Sequence, residues 1–282
     1  MTLSEWLKKA EVRLLAGPHS ERARRDAEAL LLHLLNRDRA WLIAHAYDAL
    51  PAEEASCYIA QIERRLSGEP IQYITGETEF YGRLFRVNPS VLIPRPETEH
   101  LIEKALALAP AFPAPRIVDV GSGSGAIAVT LAAELPLAQI SSIDISPAAL
   151  AVARANAALH QVAVRFLEGD LLAPVATEQF EFVVSNPPYV PTTDRDTLSV
   201  EVRDHEPALA LFADADGLSI YRRLIPAAHA TLVPGGWLLL EIGYGQSEAI
   251  AALLTASGFA QISFTPDLQG IPRVAAAQKR TR

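Results

Sequence analysis

The chain carries one cysteine, no run of 18 consecutive apolar residues, and fewer basic than acidic residues. Each shortage removes a class of function. Cys57 has no partner for an intrachain disulfide and no second thiol with which to share a metal, so it is read as structural, in keeping with a reducing compartment. A membrane-spanning helix needs about 20 apolar residues in succession, so no membrane partner is expected. Met1-Thr2-Leu3-Ser4-Glu5-Trp6 lacks a basic segment followed by an apolar run, and a cytoplasmic protein is the expectation. Lys and Arg number 25 against 33 Asp and Glu, a net charge of −8. That balance argues against a broad phosphate-binding surface, and no direct contact with nucleic acid is expected. His160, His205 and His229 are scattered without metal-ligand spacing, so no metal is expected either.

What is present suits a well-packed globular chain. Of 282 residues, 50% are hydrophobic and 21% charged, enough for one large domain and a smaller one. Residues 2 to about 68 read as helices. Thr2 precedes Leu3, Trp6 and Leu7; Ser20 precedes Ala27, Leu30, Leu31 and Leu34; Asp38 precedes Trp41 and Leu42. A fourth helix opens with Pro51 and stops at Gly68. Arg22, Arg24 and Arg25 form a basic cluster, read as a solvated helix face. From Glu69 to Arg95 the pattern turns to period two, with Thr78–Tyr81 and Arg83–Val87 flanking Gly82 and Val91-Leu92-Ile93 following, which predicts a β-hairpin connector. Pro96 and the acids around it open the next helix. The division expected is a helical domain over 1–75, a hairpin linker over 76–95 and a main domain over 96–282.

The main domain alternates strand and helix in the manner of a doubly wound α/β sheet. Seven strands are predicted: Arg116–Val120, Gln139–Asp144, Val164–Glu168, Phe180–Ser185, Trp237–Ile242, Gln261–Thr265 and Arg273–Ala277. Helices are expected near 125–134, 147–159, 217–231 and 246–257, with Pro234-Gly235-Gly236 marking an end.

Ligands in such sheets sit at the carboxyl ends of the strands. There the fourth strand runs into Asn186-Pro187-Pro188-Tyr189. The two prolines remove two backbone donors and hold Asn186 extended, so the Asn186 side-chain carbonyl and a proline carbonyl offer two close acceptors beside the Tyr189 ring. This fits a planar –NH₂ group; the alternative is a turn that merely ends a strand. The first strand leads into Gly121-Ser122-Gly123-Ser124-Gly125 at a helix start, where glycines admit a ligand close to the backbone. The spacing differs from G-x-G-x-x-G, which favours S-adenosyl-L-methionine over NAD, although a structural glycine turn also fits. Asp144, about 20 residues beyond Gly121, is placed to accept from ribose hydroxyls. Asp170 is placed to accept from an adenine amino group, with Leu171 bordering the ring. Helix capping remains open for both acids.

With Glu69-Pro70-Ile71-Gln72-Tyr73-Ile74-Thr75-Gly76, Val91-Leu92-Ile93-Pro94-Arg95-Pro96-Glu97-Thr98-Glu99, the glycine loop with Ala126-Ile127-Ala128, Asn186–Tyr189 and His205-Glu206-Pro207-Ala208-Leu209, the sequence resembles the class I adenosylmethionine-dependent methyltransferases. Within these it is similar to the release factor glutamine methyltransferases. The tetrapeptide occurs also in adenine methyltransferases; the first two segments carry the specific resemblance. Leu171, where an aromatic is common, and Ile271-Pro272 depart from the pattern. The resemblance implies a helical amino-terminal docking domain, a seven-stranded catalytic domain, and transfer of a methyl group to the glutamine of the Gly-Gly-Gln motif of class 1 peptide chain release factors. A monomer is the expectation. Asn186, Pro187, Pro188 and Tyr189 would be catalytic, and Gly121, Ser122, Gly123, Ser124, Gly125, Asp144, Asp170, Leu171 and Asn186 would bind the cofactor. The competing readings are an exocyclic-amine methyltransferase of nucleic acid, a nicotinamide oxidoreductase and a non-catalytic cofactor-binding scaffold.

Overall fold

The computed structural model describes residues 1–281 and divides into two compact units, Met1–Glu77 with Leu198–His205, and Thr78–Thr197 with Glu206 onward. In the first unit, α1 (Leu3–Leu14) opens on a reciprocal cap. The Thr2 hydroxyl accepts the Glu5 N–H and the Glu5 carboxylate accepts the Thr2 N–H at 2.8 Å. Ser20 starts a short 3₁₀ turn, and α2 (Ala23–Leu35) follows it without a side-chain cap. Asp38 caps α3 (Arg39–Ala44) by accepting from Trp41 N–H at 2.7 Å. Pro51 sits just outside α4 (Ala52–Leu66), not in its first turn. A further helix, α5 (Ile71–Thr75), lies in the stretch expected to be extended. Pro70 precedes it and Gly76, at φ 80°, ends it.

Leu7, Leu14, Leu30, Leu31, Tyr58 and Ile62 make this unit's core. Cys57 faces away from it and is exposed, since α4 buries positions 55, 58 and 62. The unit's ionic centre is Arg65, whose side chain is 1% exposed and pairs at 2.6 Å with both Asp26 and Glu201. Glu201 belongs to α9 (Val200–His205) and also holds Arg22 at 2.9 Å. Arg24 pairs with Glu11. Two arginines of the basic cluster are therefore tied into ion pairs and are not simply solvated.

Starting at the boundary between the units, β1 (Glu77–Phe80) and β2 (Arg83–Arg86) form a hairpin whose turn residues, Tyr81 and Gly82, both have positive φ, as a two-residue hairpin loop with right-handed twist requires. Val91–Ile93 adds no strand. The hairpin, expected as a linker, buries Phe80 and Phe85 in the same core as α6 (Glu99–Leu108). After α6 come β3 (Arg116–Val120), α7 (Ala126–Glu134), β4 (Gln139–Asp144), α8 (Pro147–Leu159), β5 (Arg165–Glu168) and β6 (Phe180–Ser185). Then follow α10 (Ala208–Leu211), α11 (Ser219–Thr231), β7 (Leu232–Glu241), α12 (Ser247–Ala256), β8 (Phe259–Pro266) and β9 (Pro272–Lys279).

These strands form one seven-stranded sheet in the order β5-β4-β3-β6-β7-β9-β8, parallel except where β9 pairs with β7 and β8. β7 begins before Pro234-Gly235-Gly236, which the sequence pattern placed outside it, and its pairing with β6 shifts between Phe180 and Phe182. Alternate residues feed two cores. Val118, Val183, Leu238 and Ala275 pack with α11 and α12, while Ile117, Phe182, Leu239 and Val274 pack with α6, α7 and the hairpin. Burial on both faces explains why these strands read as continuous apolar runs.

Candidate active site

The register of three central strands levels the three segments expected to carry chemistry. Val120 on β3 lies opposite Ile143 on β4 and Ser185 on β6, so the next residues, Gly121, Asp144 and Asn186, emerge side by side at the sheet's carboxyl edge. The Ser185 hydroxyl donates to the Val120 carbonyl at 2.6 Å and fixes that edge. A cavity of about 310 Å³ opens there. Gly121, Ser122, Gly123, Ser124, Asp144, Asp170, Leu171, Asn186, Pro187 and Pro188 all line it; Gly125 and Tyr189 are not among the lining residues.

The glycine loop is held from behind. Gly121 and Ser122 donate their N–H groups to the Ile143 carbonyl at 2.8 and 3.0 Å. Ser122 shares a 2.5 Å hydrogen bond with Ser142, which donates to Asp119 at 2.7 Å. The Ser122 hydroxyl therefore points inward, and the loop shows the cavity its backbone. Gly123, at φ 52°, has open space where a side chain would start. Gly125, at φ 81°, does a different job: a Cβ there would sit 3.1 Å from the Cβ of Ala153 on α8. It is the glycine that lets α8 pack closely against the loop.

Asp144 is half-buried and turns both oxygens to the backbone, accepting from Gly123 N–H at 2.9 Å and Ser146 N–H at 2.8 Å. Ser146, not Asp144, caps α8. Asp170 is exposed and ion-paired with Arg223 on the cavity wall, while Leu171, at φ 50°, leans on the α11 core.

Asn186 donates from Nδ2 to the Thr98 hydroxyl at 3.1 Å, and Thr98 donates to Glu241 at 2.6 Å. Tyr189 is half-buried, with its hydroxyl donating to the other Glu241 oxygen at 3.3 Å and its ring beside Gly243. Burial pushes the Tyr189 hydroxyl above its ordinary range. Burial likewise pushes Glu241 up to about 7, against the hydrogen bonds from Thr98 and Tyr189. Asp119 is fully buried and is pushed up to about 7 by burial as well. Sequence reasoning missed Thr98, Asp119 and Glu241. Thr98 stands in a helix start, and the two acids interrupt apolar strands; such interruptions are the only signal the sequence offers. Arg95 reaches the cavity and pairs with the buried Glu206 at 2.6 Å.

Two family models match in succession: the PrmC N-terminal domain over residues 5–76 and the methyltransferase small domain over residues 99–202. The chain is 47% identical to a release factor glutamine methyltransferase of Koribacter versatilis, over 92% of each chain. It is 43% identical to one of Deinococcus radiodurans, over 99% of each. The chain belongs to the release factor glutamine methyltransferase family. Among solved structures, a methyltransferase of Pyrococcus furiosus superposes with a TM-score of 0.52 at 15% identity, over 71% of this chain and 91% of that one. A T. thermophilus 16S rRNA methyltransferase gives 0.54 at 19%, over 72% and 50%. These two share the fold of the sheet unit. No helix among the described residues is long and apolar enough to cross a membrane.

Proposed function

We propose that this protein transfers a methyl group from S-adenosyl-L-methionine to the side-chain amide nitrogen of the glutamine in the Gly-Gly-Gln motif of peptide chain release factors. Family membership supports the reaction. The observation that carries the site is the engagement of Asn186 Nδ2 by Thr98 on the wall of the cavity, which leaves Oδ1 as the amide's accepting end.

The cavity suits the cofactor. Its volume is in the range of small-molecule sites, and open space over Gly123 together with the half-buried Asp144 provides a backbone surface and a carboxylate for a nucleoside. Gly121, Ser122, Gly123 and Ser124 would hold it through the main chain, Asp144 through the ribose hydroxyls, and Asp170 and Leu171 at the base. Bound there, the cofactor supplies an electrophilic sulfonium methyl group.

The protein's own task is orientation. An amide nitrogen is a poor nucleophile because its lone pair is delocalised into the carbonyl. Asn186 Oδ1 and the Pro187 carbonyl accept its two N–H groups, hold the nitrogen in line with the methyl group and stabilise the positive charge that develops on it. Pro188 keeps this loop rigid, and Tyr189 bounds it on the side of β7. Gly125 shapes the loop by admitting Ala153 of α8 beside it.

Residues 1–75 act as the docking segment for the folded release factor, since two acceptors on one loop cannot by themselves choose one glutamine among many. The test uses labelled S-adenosyl-L-methionine, purified release factor and mass mapping of the product. A single methyl group on the Gly-Gly-Gln glutamine is expected; label in RNA or DNA and none in protein would replace this reading with that of a nucleic-acid methyltransferase. Docking predicts that kcat/KM for the folded factor exceeds that for a short Gly-Gly-Gln peptide by about 100-fold, and equal values would remove it.

A further inference from the structure

The hydrogen-bond chain behind Asn186 has a direction. Glu241 is 1% exposed, and an ionised carboxylate only accepts. The single hydroxyl hydrogen of Thr98, itself buried, is committed to Glu241 Oε2 at 2.6 Å. Thr98 can then meet Asn186 only as an acceptor, so the amide must turn its NH₂ end to Thr98 and its carbonyl end to the cavity. The acid is itself fixed on both sides: Tyr189 donates to Oε1 at 3.3 Å, and Tyr221 donates to the Glu241 main-chain carbonyl at 2.7 Å.

We propose that Glu241 and Thr98 are positioning residues for methyl transfer: together they set the polarity of the Asn186 amide, so that an oxygen and not an NH₂ meets the NH₂ of the incoming glutamine. With the amide reversed, two donors would face each other and the substrate would lose an acceptor while leaving a buried polar group unmatched. The inference rests on the reading that Asn186 Oδ1 accepts from the substrate amide.

A protonated Glu241 can donate, and the chain then loses its single sense. The groups acting on this carboxyl are the hydroxyls of Thr98 and Tyr189 and the charges of Glu97, which raises its pKa, and Arg273, which lowers it; the Tyr221 hydroxyl lies on its main-chain carbonyl. Protonation takes hold as pH falls through about 7.

The test is methyl transfer to purified release factor by the full chain, with melting curves to confirm each variant is folded. Thr98→Val keeps the shape and removes the hydroxyl. It should lower kcat at least about tenfold while cofactor affinity stays within about twofold. Thr98→Ser should restore most of the rate. Thr98→Val in an Asn186→Ala background should add nothing, because the relay has no other target. The unaltered protein should lose rate as pH falls through about 7, and Glu241→Gln should lower kcat and abolish that pH dependence.

Near-normal turnover in Thr98→Val while Asn186→Ala is slow would overturn the positioning role and leave the Asn186 reading intact. Failure of Thr98→Ser to restore rate, additive losses in the double variant, or an unchanged pH profile in Glu241→Gln would overturn it too. Near-normal turnover in Asn186→Ala would remove the underlying reading and this inference with it.

Discussion

Asp119 on β3 and Glu241 at the end of β7 are both buried, both lie at the carboxyl edge of the sheet, and both are pushed by burial up to about 7. Each ends a short hydrogen-bond chain. Ser122 and Ser142 lead to Asp119, and Asn186 and Thr98 lead to Glu241. The chains differ in what they leave for the cavity. The first withdraws the Ser122 hydroxyl and exposes only backbone; the second withdraws one end of an amide and presents the other. One half of the site thus pairs a main-chain cradle with the Asp144 carboxylate that holds it, and the other half depends on a single oriented amide.

The largest effect that sharpens this contrast is expected from Asn186→Ala. Turnover should fall at least about tenfold, with loss of an interaction worth ~1–3 kcal/mol or more at the transition state, while calorimetry shows cofactor affinity nearly unchanged. A comparable loss of affinity would merge the two halves.

Asp144→Ala should act in the opposite sense. It weakens S-adenosyl-L-methionine by roughly 1–3 kcal/mol through loss of a charged acceptor, with kcat at saturation largely kept. Because the same carboxylate holds the Gly123 and Ser146 N–H groups, an unchanged dissociation constant would confine it to shaping the loop.

Asp119 bears on stability. Its carboxyl titrates near the ordinary value of 3.8 when unfolded and near 7 when folded, so between these values the native state holds more protons than the unfolded chain. Stability from this group falls as pH rises through that window, and the penalty is complete above about 7. Asparagine cannot ionise. Relative to the unaltered protein, Asp119→Asn should therefore gain melting temperature between about pH 5 and pH 8, and a constant difference across that range would show the acid to be ordinary. Ser122→Ala should have the smallest effect: about 1 kcal/mol of stability and no change in cofactor affinity by titration, since its hydroxyl already points inward.

Much of this was readable from sequence because it depends on local patterns. Strand limits such as Arg116–Val120 and Phe180–Ser185, the caps at Thr2 and Asp38, and the level placement of Gly121, Asp144 and Asn186 follow from apolar runs and from where they stop. Short elements were lost: α5 has five residues between Pro70 and Gly76, too few to show a helical period. The extension of β7 back through Pro234-Gly235-Gly236 was hidden because turn residues there continue a pairing that only the neighbouring strand reveals. Cys57 was read as structural by elimination of other roles, but its face of α4 decides its exposure. The relay from Asn186 to Glu241 joins three distant parts of the chain, so no window of sequence contains it.

The return of α9 to the helical unit has a consequence for the order in which the protein is made. Arg65 leaves the ribosome with the first unit, yet Glu201, one of its two acidic partners, is translated only after β3 through β6 have followed. At about 5–20 residues per second, the nascent helices wait on the order of ten seconds with a buried guanidinium only partly matched. Until then Asp26 is its one carboxylate. The amino-terminal helices therefore cannot reach their final stability as an independent early domain, and pulse-chase proteolysis of arrested chains should find them cleavable when synthesis stops at Thr197 and protected only in chains long enough for His205 to have emerged from the ribosome.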